Sequence, residues 1–185
     1  MKRILFYIFI LFPFIGVFAQ QPVVDGAYNI GDIGPAGGIV FFDKGFISDG
    51  WRYLEAAPPG GESIAAWGAF RRNVSGTETV LGSGKLNTQI ILERLNQLGE
   101  SHRAAQICEI LEINGYKDWF LPSRDELEML YRNLGRKGLG GLGRDRYWSS
   151  SQYSNRDAWG QRMGDGFQGH HFKKDLCCFR PVRSF

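Results

Sequence analysis

A chain of 185 residues, 43% hydrophobic and 22% charged, is long enough for one domain with a sizeable core and too short for several. Its 22 basic and 19 acidic residues give a formal charge of +3. Setting aside Lys2 and Arg3 leaves 20 against 19, so global charge does not argue for nucleic acid, which is not an expected partner, and leaves only local patches to consider. Three cysteines exclude a disulfide-dense scaffold, and 25 glycines with 5 tryptophans describe a loop-rich domain with large aromatic anchors.

The chain opens MKRILFYIFILFPFIGVFAQQ. Two basic residues, an apolar run and the small-residue pattern ending at Ala19 are the parts of a secretory signal peptide, with cleavage expected after Ala19. The run is short for a spanning helix, and Pro13 and Gly16 interrupt it. Residues 20–185 are then expected to form a single exported domain, periplasmic, surface-displayed or secreted. No second transmembrane candidate follows, and no cysteine follows the cleavage point to carry a lipid.

Residues 26–58 read as short strands parted by turns: GPAGG is a turn signal, IVFFDK is rich in strand formers, and WRYLEAA is a second strand closed by Pro58-Pro59. The glycine-spotted stretch to Lys85 reads mostly as loop, with Trp67 as a core anchor. Asn87 is placed to cap a helix over residues 88–98, whose Ile91, Leu92, Leu95 and Leu98 share a side. A second helix is expected over residues 101–113, with Cys108 on its buried face and Asn114-Gly115 as the stop. Ser123 and Glu126 form a capping box for a third helix, whose inner face is Leu127, Leu130, Tyr131 and Leu134. RYWSSS and RPVRSF read as closing strands, Pro181 suiting an edge or bulge, with an irregular polar segment between them.

These blocks, in order GDIGPAGGIVFFDKG, GWRYLEAAP, NTQII, AAQICEILEINGYKDWFLPSRDELEMLY, YWSSS and RPVRSF, resemble the family named for the C-terminal domain of the Legionella collagen-like protein. That family is closely similar to the Fibrobacter major paralogous domain. The resemblance implies an α+β, C-type-lectin-like fold: two to three helices packed on a twisted, mainly antiparallel sheet, long irregular loops, and both chain ends on adjacent strands. The fold class carries many functions and does not decide the activity. The tail is also similar to retroelement-diversified proteins, in which YWSSS precedes a substituted polar tract and a closing VRPVR-like strand. Adenine-directed mutagenesis of an Asn codon reaches Asn, Asp, Gly, His, Arg, Leu, Phe, Tyr, Ser or Cys, but not Lys, Gln, Met, Trp or Glu. Asn155, Arg156, Asp157, Asp165, His170, His171, Phe172, Asp175, Leu176, Cys177, Cys178 and Phe179 all fall in the reachable set.

Candidate chemistry concentrates in that tract. His170-His171 and Cys177-Cys178 carry zinc-ligand atoms, yet neighbours on an extended chain point to opposite faces, so one of each pair converges and, apart from His102 on a helix, no second set follows. The Glu-Pro-Asn and Trp-Asn-Asp patterns of calcium-dependent lectins are absent, and no metal or other cofactor is expected. Relatives often end VRCVR, with that cysteine bonded to the one matching Cys108; here Pro181 stands in its place. Cys177 lies four positions earlier, roughly 13 Å along a strand, so pairing with Cys108 needs a register shift, and a vicinal bond is strained. Cys108 reads as a buried thiol.

Formylglycine-generating enzymes share the implied fold class and use cysteines, but no nucleophile and base stand at usable spacing; the chain is expected not to be an enzyme. Glu126 and Glu128 read as solvated. NVS at Asn73 matches a glycosylation acceptor. The favoured expectation is a recognition surface over residues 154–178 for a protein or glycan ligand outside the cytoplasm. It uses Tyr153, Asn155, Arg156, Asp157, Arg162, Asp165, Phe167, His170, His171, Phe172 and Lys173, all exposed, with Trp159 assigned to the core. The alternative is an anionic-glycan patch of Arg132, Arg136, Lys137, Arg144 and Arg146 around the flexible GRKGLGGLG loop.

Overall fold

A computed structural model describes residues 27–185. The expected signal segment lies outside the described residues. Eight strands and three helices run in the order β1 (Ile39–Ser48), β2 (Trp51–Ala56), β3 (Ser63–Ala66), α1 (Gly84–Gln97), α2 (Ala104–Ile110), α3 (Arg124–Asn133), β4 (Arg146–Gln152), β5 (Asp157–Arg162), β6 (Gln168–Phe172), β7 (Leu176–Phe179) and β8 (Val182–Ser184). They form two sheets, ordered β1-β2-β8 and β3-β7-β4-β5-β6. All pairings are antiparallel except a parallel contact of β4 with β7 at Tyr147 and Cys178. No helix among the described residues is long and apolar enough to cross a membrane.

The expected α+β architecture is present, with two corrections. There are two sheets rather than one, because Arg180-Pro181 carries the chain from β7 in the larger sheet to β8 in the smaller. The last strand pairs with β2 and not with the first, although Tyr28 packs edge-on against both Tyr53 and Phe185 and so brings the two ends together.

Each helical layer buries one face. Ile91, Leu95, Ala104 and Cys108 pack with Trp67, Trp148 and Phe179, while Leu127, Leu130 and Leu134 of α3 and its end pack with Phe41, Leu54, Tyr147 and Val182. The serine run after Trp148 is a set of buried struts. Ser150 N donates to Pro122 O at 2.7 Å, Ser151 Oγ donates to Glu78 O at 2.7 Å and accepts from Arg124 N at 3.0 Å, and Ser149 O accepts from Trp67 Nε1 at 2.8 Å. From Trp148 to Gln152, β4 advances four residues while β5 advances two, a bulge that frees these backbone groups for the loops.

Three local expectations are corrected. Asn87 lies inside α1, which starts at Gly84; its side chain instead clamps the preceding loop, accepting from Glu78 N and donating to Glu78 O and Ser150 Oγ. α2 is shorter than residues 101–113, and His102 precedes it at φ 58° rather than sitting on it. Glu126 is fully buried and Glu128 partly so. The capping box is present as expected, with Ser123 N donating to Glu126 Oε2 at 2.7 Å and Glu126 N to Ser123 Oγ at 3.2 Å. The residues 82–84 loop closes over that carboxyl, Gly82 N donating to Oε1 at 2.9 Å, and burial pushes its pKa up to about 7.

Candidate ligand-binding surface

The segment expected to be irregular is built on three strands, β5, β6 and β7. Register assigns the faces: Asp157 pairs with Phe172, Trp159 with His170 and Gln161 with Gln168 on the outer face. Ala158 with His171, and Gly160 with Gly169, occupy the inner face. On the outer face Tyr153 and His170 stack with centroids 4.0 Å apart, 3° from parallel, and Trp159 meets them edge-on at 5.2 Å and 6.2 Å. The Arg124 guanidinium covers the Trp159 ring at 5.3 Å.

A second aromatic group lies at the far end of β6. Phe172 meets Phe70 edge-on at 6.1 Å, and Arg156 and Lys174 lie 5.7 Å and 5.8 Å from the Phe172 ring centre. Ser154 Oγ accepts from Arg156 N and Asp157 N and donates to Asp157 Oδ2, which fixes the turn that presents Asn155 and Arg156. In the β5–β6 turn Arg162 binds both carboxylate oxygens of Asp165 and lies over Phe167. That ion pair holds Asp165 below the usual carboxylate range.

Tyr153, Phe167 and Phe172 are 52%, 57% and 44% exposed, and Asn155, Arg156, Arg162, Asp165 and His170 are exposed as expected. Asp157 and His171 are half-buried. Two assignments reverse. Trp159 is half-buried on the outer face, not a core residue, because β5 alternates and its neighbours Ala158 and Gly160 turn inward. Lys173 is fully buried: its Nζ lies 4.6 Å from the Trp67 ring centre and donates to Arg72 O at 3.1 Å and Gln152 Oε1 at 2.6 Å. Burial lowers its pKa to about 7.

Sequence reasoning missed Phe70, Arg71, Arg124 and Lys174. Phe70 is held out by a loop whose Ala69 and Arg71 adopt left-handed backbone conformations at φ 50° and 62°, which carry no reliable sequence mark in non-glycine residues. That loop is tied to the tract by Gly68 N donating to Lys173 O and by the Lys173 ammonium.

The five basic residues of the alternative patch are not equally free. Arg132 is paired with Glu128 and Arg146 turns to His171, leaving Arg136, Lys137 and Arg144 exposed without an ion pair among the described residues. The glycine-rich loop is not slack: residues 135–137 form a single 3-10 turn, and Arg180 donates to Gly140 O and Gly141 O.

All three cysteines are free, so the Cys108–Cys177 pairing left open by the sequence is not formed. Burial pushes the Cys108 and Cys178 thiols up, and that of Cys177 up to about 11, which disfavours the reactive thiolate. His170 and His171 point to opposite faces as strand parity requires. Among the described residues no group of three or more His, Cys, Asp or Glu is arranged to hold a metal ion.

An α+β frame of two sheets and three helices that offers a solvent-facing hairpin defines the class. The chain belongs to the Lcl C-terminal domain family, whose sequence profile matches residues 71–183. A fimbrial protein from Bacteroides ovatus shares the fold at a TM-score of 0.53 and 14% identity, covering 74% of this chain. The match spans 36% of that protein's own length, so this chain corresponds to about a third of it. No curated protein matches.

Proposed function

We propose that this protein is an exported, surface-associated, non-enzymatic ligand-binding module, and that the outer face of β5–β6 with its flanking loops is its recognition surface. The finer fold reading is a C-type-lectin-like frame displaying that surface. One observation carries the proposal: aromatic rings interleave with cations along the hairpin, exposed Tyr153 and His170 at one end and half-buried Phe70, exposed Phe172, Arg156 and Lys174 at the other. Stacked rings offer apolar area for sugar C–H faces, and guanidinium and ammonium groups offer donors for carboxylate or sulfate, so the favoured ligand is an anionic glycan. Family membership and the fimbrial neighbour support an adhesin-like setting outside the cell.

Asn155, Arg156, Asp165, His170 and Phe172, within the set that adenine-directed mutagenesis reaches, are exposed, and Gln161, Met163 and Lys173, outside it, are buried; Phe179 within it is buried and Lys174 outside it is exposed, so residue type follows exposure only in part. The raised thiol pKa values weigh against a formylglycine-generating chemistry.

Heparin serves as the test probe. Arg156→Ala combined with Phe172→Ala should weaken binding by about tenfold or more, roughly 1.4 kcal/mol, and binding should fall as salt rises. Arg136→Ala with Lys137→Ala should leave it within about twofold. If the second pair abolishes binding and the first leaves it intact, recognition belongs to the basic loop.

A further inference from the structure

A cavity of about 560 Å³ opens beside the smaller sheet, where β2 and β8 meet the start of α1. That volume falls in the range of small-molecule sites, roughly 300–1,000 Å³. None of its lining residues belongs to the β5–β6 hairpin. Its walls are held in place. Gly82 N donates to the buried Glu126 carboxyl, and a Cβ on Gly82, at φ 90°, would lie 3.3 Å from the Trp51 ring, so the loop before α1 rests against that indole. The Arg183 guanidinium is fixed by Nε donating to Asp118, by Nη1 donating to Glu55, and by the Tyr116 ring, whose centre lies 4.2 Å from it.

Polar groups that the fold does not use surround this space. Trp51 Nε1, Lys85 Nζ, the Gln89 amide, Asp118 Oδ2, Arg183 Nη2 and Ser184 Oγ have no hydrogen-bond partner among the described residues, and all six residues line the cavity. None of these atoms is a buried orphan, so each keeps access to solvent. Lys85 and Gln89 stand four residues apart on α1 and so share a face.

The chemistry of this set selects its guest. Charges of both signs nearly balance, Lys85 and Arg183 against Asp49 and Asp118 with Glu126 beneath, so an anion meets carboxylates and a cation meets cations. A hydroxyl donates to one neighbour and accepts from another, and several hydroxyls on one ring satisfy donors and acceptors that stand side by side. Trp51, Phe120 and Phe185 supply apolar wall for the C–H faces of such a ring. Past Trp51 and Phe185 the space adjoins a second chamber of about 300 Å³, also lined by Tyr28 and Tyr53, where a second ring fits.

We infer that this cavity is a second binding site, which takes a neutral sugar residue, with Gln89, Asp118 and Arg183 bonding its hydroxyls and Trp51 as its apolar wall. The site stands apart from the hairpin, whose cations favour acidic groups. Because Arg183 and the residue 82 loop are already fixed, little ordering opposes binding.

The test is an NMR titration of the 15N-labelled protein with the methyl glycosides of glucose, galactose, mannose and N-acetylglucosamine, and with glycine and glucuronic acid as charged comparisons. At least one methyl glycoside should shift the Trp51 indole N–H and the Gln89 side-chain amide saturably, with a Kd of about 10 mM or tighter. Gln89→Ala, at an exposed helix position, should weaken that binding about fivefold at an unchanged melting temperature. Asp118→Asn, which keeps one acceptor oxygen and loses the charge, should weaken it by a similar factor. Binding of glycine or glucuronic acid without binding of any methyl glycoside overturns the inference. Still Trp51 and Gln89 signals with all four glycosides overturn it too, and leave the hairpin reading standing.

Discussion

Replacing Glu62 by alanine should lower the melting temperature by about 6 to 20 °C, from the roughly 3 to 5 kcal/mol cost of stranding a buried charge. Arg180 is 1% exposed, and its Nε and Nη2 both donate to Glu62 Oε2, at 3.1 Å and 2.6 Å. The same oxygen accepts from the Tyr147 hydroxyl at 2.6 Å. The remaining Arg180 contacts are neutral carbonyls of Ala57, Gly140 and Gly141, which orient the guanidinium without balancing its charge. Losing Glu62 also removes the acceptor of Tyr147, and it loosens the junction at which the chain changes sheets. Tyr147→Phe, which keeps the ion pair, should cost only about 1 kcal/mol. A Glu62→Ala melting curve within about 2 °C of the parent would show that Arg180 is not held as described.

Glu55→Ala should cost a comparable 3 to 5 kcal/mol, roughly, read as a reduced urea midpoint at unchanged slope. The Glu55 carboxylate has no solvent exposure; it accepts from Arg183 Nη1 at 2.8 Å and from the backbone N–H groups of Ala36 and Gly38 at 3.3 Å and 3.1 Å. Burial raises its pKa, and Arg183 with the two N–H donors opposes that rise. The GPAGG turn wraps so closely that a Cβ on Gly34 would lie 2.4 Å from Glu55 Oε2, and one on Gly38 would lie 2.5 Å from Ala56 O. Without the carboxylate, Arg183 keeps Asp118 alone and the turn loses its centre. Amide exchange at Ala36 and Gly38 should accelerate in the variant; unchanged exchange and an unchanged midpoint would assign the turn to its own backbone.

Where one local rule decides a structure, the sequence was sufficient. The Ser123–Glu126 box started α3, the Trp67 and Trp148 anchors are buried, and the order of motifs named the family. The tract misled because its alternation runs against the usual polarity. Its solvent-facing residues include Trp159, His170 and Phe172, while Ala158, Gly160, Gly169 and His171 turn inward, so no apolar stripe marks β5 or β6. Lys173 and Glu126 are charged types in polar surroundings along the chain, and only long-range packing places Trp67 beside one and the residues 82–84 loop over the other. Asn87 has the residue type of a cap but serves Glu78, nine residues back, a contact that local spacing cannot announce.

The most direct measurement is hydrogen–deuterium exchange of the protein alone and saturated with heparin. If the outer face of the β5–β6 hairpin is the recognition surface, protection should rise in peptides covering residues 153–157 and 167–174, and in the Phe70 loop that Lys173 holds against them. Protection confined to residues 132–146, with the hairpin unchanged, would contradict the account.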